Sequence, residues 1–336
     1  MDRRDFLKKG TAAAGLAAAH PALAPLARAV EGEFPKRALG KTGVELSIIG
    51  FGGIVVTDTP QSFANHIVAE SYDLGINYFD VAPSYGNAEE RLGPALEPYR
   101  KKVFLACKTQ KRDKAGAEEE LHASLKRLRT DHFDLYQLHA LTTMEDLDRA
   151  LAPGGAMETF LAARKAGKVR FLGFSAHSVE TALAAIERFD FDTILFPFNY
   201  VMFSQATFGP QVMERARQKG MGLLALKAMA KTHWPETMKQ EERPFPKCWY
   251  EPAALEEEAA LALRWTLSLP VTAAVPPGDE KYYRLALEVA GRFSPLKPEE
   301  EKTLLARAQG VAPLFRLGNA GGEARRIPSG TAPRSA

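Results

Sequence analysis

The chain has 336 residues, a formal net charge of +3, and 46% hydrophobic and 25% charged side chains. That balance allows a sizeable core and excludes a disordered, collagen-like or membrane-spanning body. The two cysteines, Cys107 and Cys248, are too few for a disulfide scaffold and lack metal-ligand spacing. No metal is expected, and Cys107, inside the apolar run VFLACK, reads as a buried free thiol rather than half of a bridge.

Only the N-terminus departs from this average. MDRRDFLKKGTAAAGLAAAHPALAPLARA combines a paired arginine, a Phe-Leu-Lys, a weakly apolar alanine-rich run and small residues at A-x-A spacing. It resembles a twin-arginine export signal, with Arg3 and Arg4 as the pair and Ala27-Arg28-Ala29 as the cleavage site. The run is too short and too interrupted to span a bilayer. Removing residues 1–29 takes away five basic and two acidic residues, so the whole excess of +3 belongs to that segment. The remainder has no basic stripe for nucleic acid and no basic amphipathic helix for a membrane surface. The expected organisation is a signal peptide over 1–29, a folded body over 30–310 and a flexible tail over 311–336. The export machinery is then a partner and the periplasm the destination.

In chain order, FPKRALGKTGVEL has the turn chemistry of a small hairpin. After it, short apolar runs alternate with segments of helical period. The strands are LSIIGFGG from residue 46, NYFD from 77, VFLAC from 103, FDLYQLH from 133, VRFLGFS from 169, TILFPF from 193, GLLALK from 222 and TAAVP from 272. Helices are expected at 61–74, 88–99, 117–129, 156–166, 178–188, 207–219, 253–268 and 280–291, with one more at 297–308. Eight strand–helix units without a low-complexity linker predict a (β/α)8 TIM barrel, an α/β fold whose bottom the hairpin closes. GFGGIV lacks the G-x-G-x-x-G spacing of a doubly wound dinucleotide domain. The longest connection, residues 231–252, holds two of the three tryptophans and reads equally as a lid or as an insertion packing on its own aromatics.

Barrel active sites lie at the C-terminal ends of the strands, so polar residues just past each apolar run carry the chemistry. Asp80 ends the second strand, Tyr85 follows on its loop, Lys108 ends the third and His139 the fourth. A phenol is a weak acid near neutrality. A neighbouring ammonium is expected to lower its pKa, a carboxylate to keep the ammonium charged and placed, and a histidine to orient a carbonyl oxygen.

Here the chain resembles the aldo-keto reductase family, over about residues 35–292. The likeness rests on GINYFDVAPSYGNAEERLGPAL, VFLACKTQ, DLYQLHAL, VRFLGFSAHS and GMGLLALKAMA. The resemblance implies a catalytic tetrad of Asp80, Tyr85, Lys108 and His139, an extended NADP or NAD, and hydride transfer between cofactor and an aldehyde, ketone or sugar carbonyl. It places the backbone at Gly53 and Ile54 near the nicotinamide and Ser175 on its carboxamide. Lys227 falls near the pyrophosphate and Arg284 near the adenosine. Ala176 and Leu195 stand where the family carries asparagine and glutamine, with His177 beside them, and Leu226 stands where many members stack a ring on the nicotinamide. Asp279 and Glu280 occupy places where NADP-selective members favour lysine, serine or threonine. Two other readings stay open: an exported barrel that binds a small ligand or partner with little turnover, and a sugar lyase or isomerase using the same acid–base residues.

Overall fold

The computed structural model describes residues 33–318, so the expected export signal lies outside the described residues. Strands β1 (Lys36–Ala38) and β2 (Glu45–Ser47) form an antiparallel hairpin. The sheet that follows is parallel and eight-stranded: β3 (Phe51–Gly52), β4 (Tyr78–Asp80), β5 (Phe104–Thr109), β6 (Phe133–Leu141), β7 (Val169–Ala176), β8 (Thr193–Pro197), β9 (Gly222–Leu226) and β12 (Ala273–Val275), each beside its predecessor. The segment before β3 closes the ring on β12, where Gly50 N–H donates to Ala274 O (2.9 Å) and Ala274 N–H to Ile48 O (2.9 Å).

Helices cover the outside: α1 (Gln61–Asp73), α2 (Ala88–Leu96), α3 (Lys114–Arg127), α4 (Met144–Leu151), α5 (Ala156–Lys165), α6 (Val179–Arg188), α7 (Tyr200–Ala206), α8 (Pro210–Gln218), α9 (Glu256–Ser268), α10 (Glu280–Gly291) and α11 (Pro298–Ala308). Helices α4 and α7 were not expected; both extend loops that follow barrel strands. Between β9 and α9 lies a second hairpin, β10 (Ala230–His233) with β11 (Tyr250–Pro252).

The strands are buried on both faces because helices cover one and the barrel interior the other. Period two then sorts each strand. Phe79, Leu105, Cys107, Tyr136 and Leu138 pack outward under the helices. Tyr78, Phe104, Ala106, Leu135, Leu195, Leu224 and Ala273 point inward and meet Leu39 and Leu46 of the hairpin, which plug the bottom. The plug needs Gly222: a Cβ there would lie 2.4 Å from Leu39 Cδ1. Both cysteines are buried and free. Among the described residues no helix is long and apolar enough to cross a membrane.

The boundary expected at residue 311 falls too early. Residues 311–318 pack against the barrel: Thr232 Oγ1 donates to Ala312 O (2.9 Å), His233 Nε2 lies 3.2 Å from Leu314 O, and Gly318 N–H donates to Glu180 Oε1 (3.1 Å). Leu314 and Phe315 are the apolar residues that gain by docking, a signal the polar composition of the tail hides.

Candidate active site

The inward face of the strands that carries the plug at its bottom carries polar side chains at its top. Two residues above Tyr78 is Asp80. Two above Ala106 is Lys108. Gln137 and His139 continue the row above Leu135, and Lys108 is in register with Gln137. Alternation alone therefore brings Asp80, Lys108 and His139 to one mouth. Tyr85 arrives from the loop after β4, which is fixed by Tyr85 N–H donating to Ala82 O (3.1 Å) and Thr57 Oγ1 donating to Tyr85 O (3.0 Å).

Lys108 donates to the Asp80 carboxylate in a short, fully buried ion pair and faces the Tyr85 ring, its Nζ 5.2 Å from the centroid. The other Asp80 oxygen accepts from Tyr78 Oη (3.2 Å) and Gln137 Nε2 (3.3 Å). Burial by itself lowers the Lys108 pKa, but the Asp80 and Tyr85 charges and the Asp80 hydrogen bond carry it above the ordinary lysine value. The ammonium is permanent at physiological pH.

His139 crosses Tyr85 edge to face, centroids 5.7 Å apart, and its Nδ1 lies 3.5 Å from Ser84 Oγ. Its carbonyl accepts from Arg112 Nη2 (2.7 Å), and Arg112 is itself paired with Asp146. Burial and the cations Lys108, Arg112 and Lys227 hold the imidazole well below its ordinary pKa, so it is neutral. Tyr85 reverses one expectation. Burial raises its pKa more than Lys108 lowers it, and Asp80 adds to the rise. The phenol is therefore a proton-holding acid, and Lys108 offsets only part of the burial. Gln137, Tyr78 and Arg112 escaped the sequence reading. The first two lie two residues from His139 and Asp80 on the same strands, so period two could have found them.

The residues expected to meet a cofactor follow the rim. Gly53 opens the turn Gly53–Val56 against the end of β4, so close that a Cβ would stand 2.7 Å from Val81. Ile54 packs on Gly278 in the loop after β12. Ser175 Oγ accepts the N–H of Ala140 (2.8 Å), and its hydroxyl hydrogen makes no bond to the described residues. Ala176 is buried under the helices, and Leu195 belongs to the interior apolar layer, so neither offers a carboxamide partner. His177 Nε2 lies 3.1 Å from Lys227 Nζ. The Lys227 backbone is left-handed (φ 62°), and its carbonyl accepts from Asn199 Nδ2 (2.9 Å). Its ammonium turns towards His177, between the faces of Trp249 (5.2 Å) and Phe315 (5.6 Å). Arg284 is held by Glu280 (2.7 Å) and by both oxygens of Glu70 (2.9 Å each).

The 231–252 segment packs on itself and reaches along the rim, past β12, to the turn after β3. Trp234 Nε1 donates to Cys248 O (2.8 Å), and Lys247 Nζ donates to Val55 O in the turn after β3 (3.0 Å).

An acid–base cluster at the C-terminal mouth of a (β/α)8 barrel defines an enzyme of the barrel class. The profile of the aldo/keto reductase family matches residues 48–303, and the chain belongs to that family. It is an oxidoreductase of the kind that interconverts carbonyl and alcohol with NAD(P). An oxidoreductase of Bacillus subtilis, YqkF, is 28% identical over 299 residues, which span 80% of this chain and 95% of that protein. The L-galactose dehydrogenase of Arabidopsis thaliana is 28% identical over 215 residues, covering 58% of this chain and 65% of its own length. Among solved structures, the holo form of an aldo-keto reductase from Bacillus halodurans superposes with a TM-score of 0.64 over 86% of this chain and 99% of its own, at 22% identity, a likeness of fold.

Proposed function

We propose that this enzyme reduces a small carbonyl compound, or oxidises the matching alcohol, with Tyr85 as the group that gives and takes the proton. The observation that carries this reading is the buried Lys108–Asp80 pair facing the Tyr85 ring beside a neutral His139. A nicotinamide coenzyme, when held along the rim, would supply or accept the hydride. Tyr85 delivers the proton to the carbonyl oxygen, so carbonyl, hydride and proton sum to the alcohol. Lys108 stabilises the phenolate left behind, which regains its proton from solvent. His139, uncharged, donates a hydrogen bond to the carbonyl oxygen without competing as an acid.

The donors along the rim fit a dinucleotide. Ser175 has an uncommitted hydroxyl hydrogen for a carboxamide oxygen, and the backbone of Gly53 and Ile54 borders the same mouth. Arg284 would lie at the adenosine end, where Glu70 and Glu280 already occupy it and Asp279 adds a further carboxylate. This favours NAD over NADP, since carboxylates repel a 2′-phosphate. The absence of side-chain partners at Ala176 and Leu195 weakens the carboxamide contact, which is the observation behind a ligand-binding barrel with little turnover. The intact donor set at Tyr85 favours the enzyme.

The test is a panel of aldehydes, ketones and sugars with NADH and NADPH, run on wild type and on Tyr85→Phe. Turnover that vanishes in the variant supports the assignment, and equal turnover overturns it. Residues 1–29 are read as a twin-arginine signal delivering the folded protein to the periplasm. Replacing Arg3 and Arg4 by lysine should retain the protein in the cytoplasmic fraction.

A further inference from the structure

Most of the buried cations around the barrel mouth have a carboxylate partner. Lys108 has Asp80, Arg112 has Asp146, Lys231 has Glu258, and Arg284 has Glu70 and Glu280. Lys227 is buried as well, 6% exposed, between Lys108 at 0% and Arg112 at 9%, yet among the described residues no carboxylate pairs with it. An ammonium has three protons to donate. One points at His177 Nε2, and the rest of the head faces two aromatic rings.

Cation–π contact is worth about 0.5–2 kcal/mol and does not replace a counter-charge for a buried cation. The site is nevertheless built. Asn199 holds the backbone of Lys227 in a conformation that a non-glycine residue rarely adopts, His177 is stacked flat on Phe315 (5.0 Å, 19°), and Trp249 closes another side. The family resemblance places Lys227 near a cofactor diphosphate along the rim, but its ammonium leans towards the loop after β7, where its charge acts on both His177 and His139.

We propose that the substrate is a carbonyl compound bearing a carboxylate or phosphate group, and that Lys227, walled by His177, Trp249 and Phe315, binds that anion while the carbonyl lies at Tyr85 and His139. This rests on the reductase reading above and adds the substrate class to it. The anion supplies the missing counter-charge, and two aromatic faces exclude water from the pair, which strengthens it. The low pKa of Lys227, about 7 through burial, is that of a cation awaiting its partner; an anion beside it restores the proton. His177 and His139 are the titratable groups facing it, and both are held neutral.

The experiment compares kcat/KM of the full chain for matched carbonyls at saturating coenzyme: 4-oxobutanoate against butanal, and glyceraldehyde 3-phosphate against glyceraldehyde. Wild type should favour the charged member of each pair by about tenfold or more, the effect of one charge-assisted hydrogen bond. In Lys227→Met that ratio should fall towards one through KM. A contact to the coenzyme diphosphate instead slows both members alike and leaves the ratio unchanged, with weaker NADH binding in a fluorescence titration; that result overturns the proposal. A wild-type ratio at or below one overturns it without any variant. Should no carbonyl turn over, the reductase reading fails separately, and melting temperatures decide this one. A larger rise with 4-oxobutanoate than with butanal, lost in Lys227→Met, supports it, and equal rises overturn it.

Discussion

Two lysines end strands on opposite sides of one barrel, and both are buried, yet their chemistry diverges. Lys108 has a carboxylate against it and two more hydrogen-bonding side chains fixing that carboxylate, and its pKa rises. Lys227 has an imidazole and two aromatic faces, and burial brings its pKa down to about 7. Burial is common to the two; the counter-charge is what differs. A lysine with a built-in counter-ion is a permanent electrostatic fixture, suited to stabilising a phenolate on every turnover. One without a counter-ion is conditional, suited to a group that arrives and leaves. The two halves of the mouth thus divide the work, one holding the proton chemistry and the other a place for a charged guest.

The largest effect is expected on the permanent side. Tyr85→Phe removes the acid that protonates the carbonyl and should lower kcat by roughly 10²- to 10⁴-fold, with coenzyme binding and circular dichroism unchanged. A smaller loss would mean that His139 shares the proton and that the division between the two sides is less sharp. Asp80→Asn comes next. It leaves Lys108 buried without its counter-charge, the condition in which Lys227 already exists, and should destabilise the fold by about 3–5 kcal/mol. Chemical denaturation reads this directly. The two lysines would prove interchangeable in context if the variant were as stable as wild type.

Much of the permanent side was legible in the sequence. Asp80, Lys108 and His139 each end an apolar run, and in a parallel barrel a strand end is a place in space. The conditional side was less so. Whether a cation has a partner depends on residues far apart in the chain: Glu70 meets Arg284 across the sequence, and Glu258 meets Lys231, while among the described residues no carboxylate meets Lys227. Charge pairing of that kind has no periodicity. The direction of the Tyr85 shift was also hidden, because the sequence names the neighbouring charge but not the depth of burial that outweighs it. Helix α7 went unread because YVMFSQA follows TILFPF without a turn; its start is set by Asn199, whose side chain accepts from the N–H groups of Val201 and Met202.

The conditional lysine carries a stability signature with a definite sign. Its folded pKa, about 7, lies below the ordinary lysine value of 10.5, so the folded chain binds that proton less readily than the unfolded one. The cost is present in full below pH 7 and fades as pH rises towards 10.5. Lys227→Met should therefore stabilise the ligand-free protein at pH 6 by on the order of 2 kcal/mol, less than the full shift implies because a charged lysine can relax towards water. The gain should shrink on going to pH 9. Melting curves at the two values check it, and a pH-independent difference would mean that packing, not charge, separates the side chains.

The smallest effect concerns a third cation, and it tests whether pairing alone predicts availability. Arg284 would face the adenosine end of the coenzyme, but Glu70 grips it with both oxygens and Glu280 takes its Nε. By the logic that makes Lys108 a fixture, Arg284 is a fixture too. Its charge is spent inside the protein on Glu70 and Glu280, and Asp279 stands at the start of the same helix. A 2′-phosphate should meet carboxylates on Nε and Nη1 of that guanidinium and, among the described residues, only Nη2 uncommitted, and NADH should be preferred to NADPH by about tenfold, some 1.4 kcal/mol. Glu70→Gln releases one half of that grip without touching the reacting centre, and should move the ratio towards NADPH by a few fold, more at low salt than at high, as expected for a partly exposed charge. A wild-type preference for NADPH would show that Arg284 abandons its carboxylates for a stronger anion. In that case a built-in partner does not commit a cation, and the contrast between Lys108 and Lys227 would have to rest on depth of burial instead.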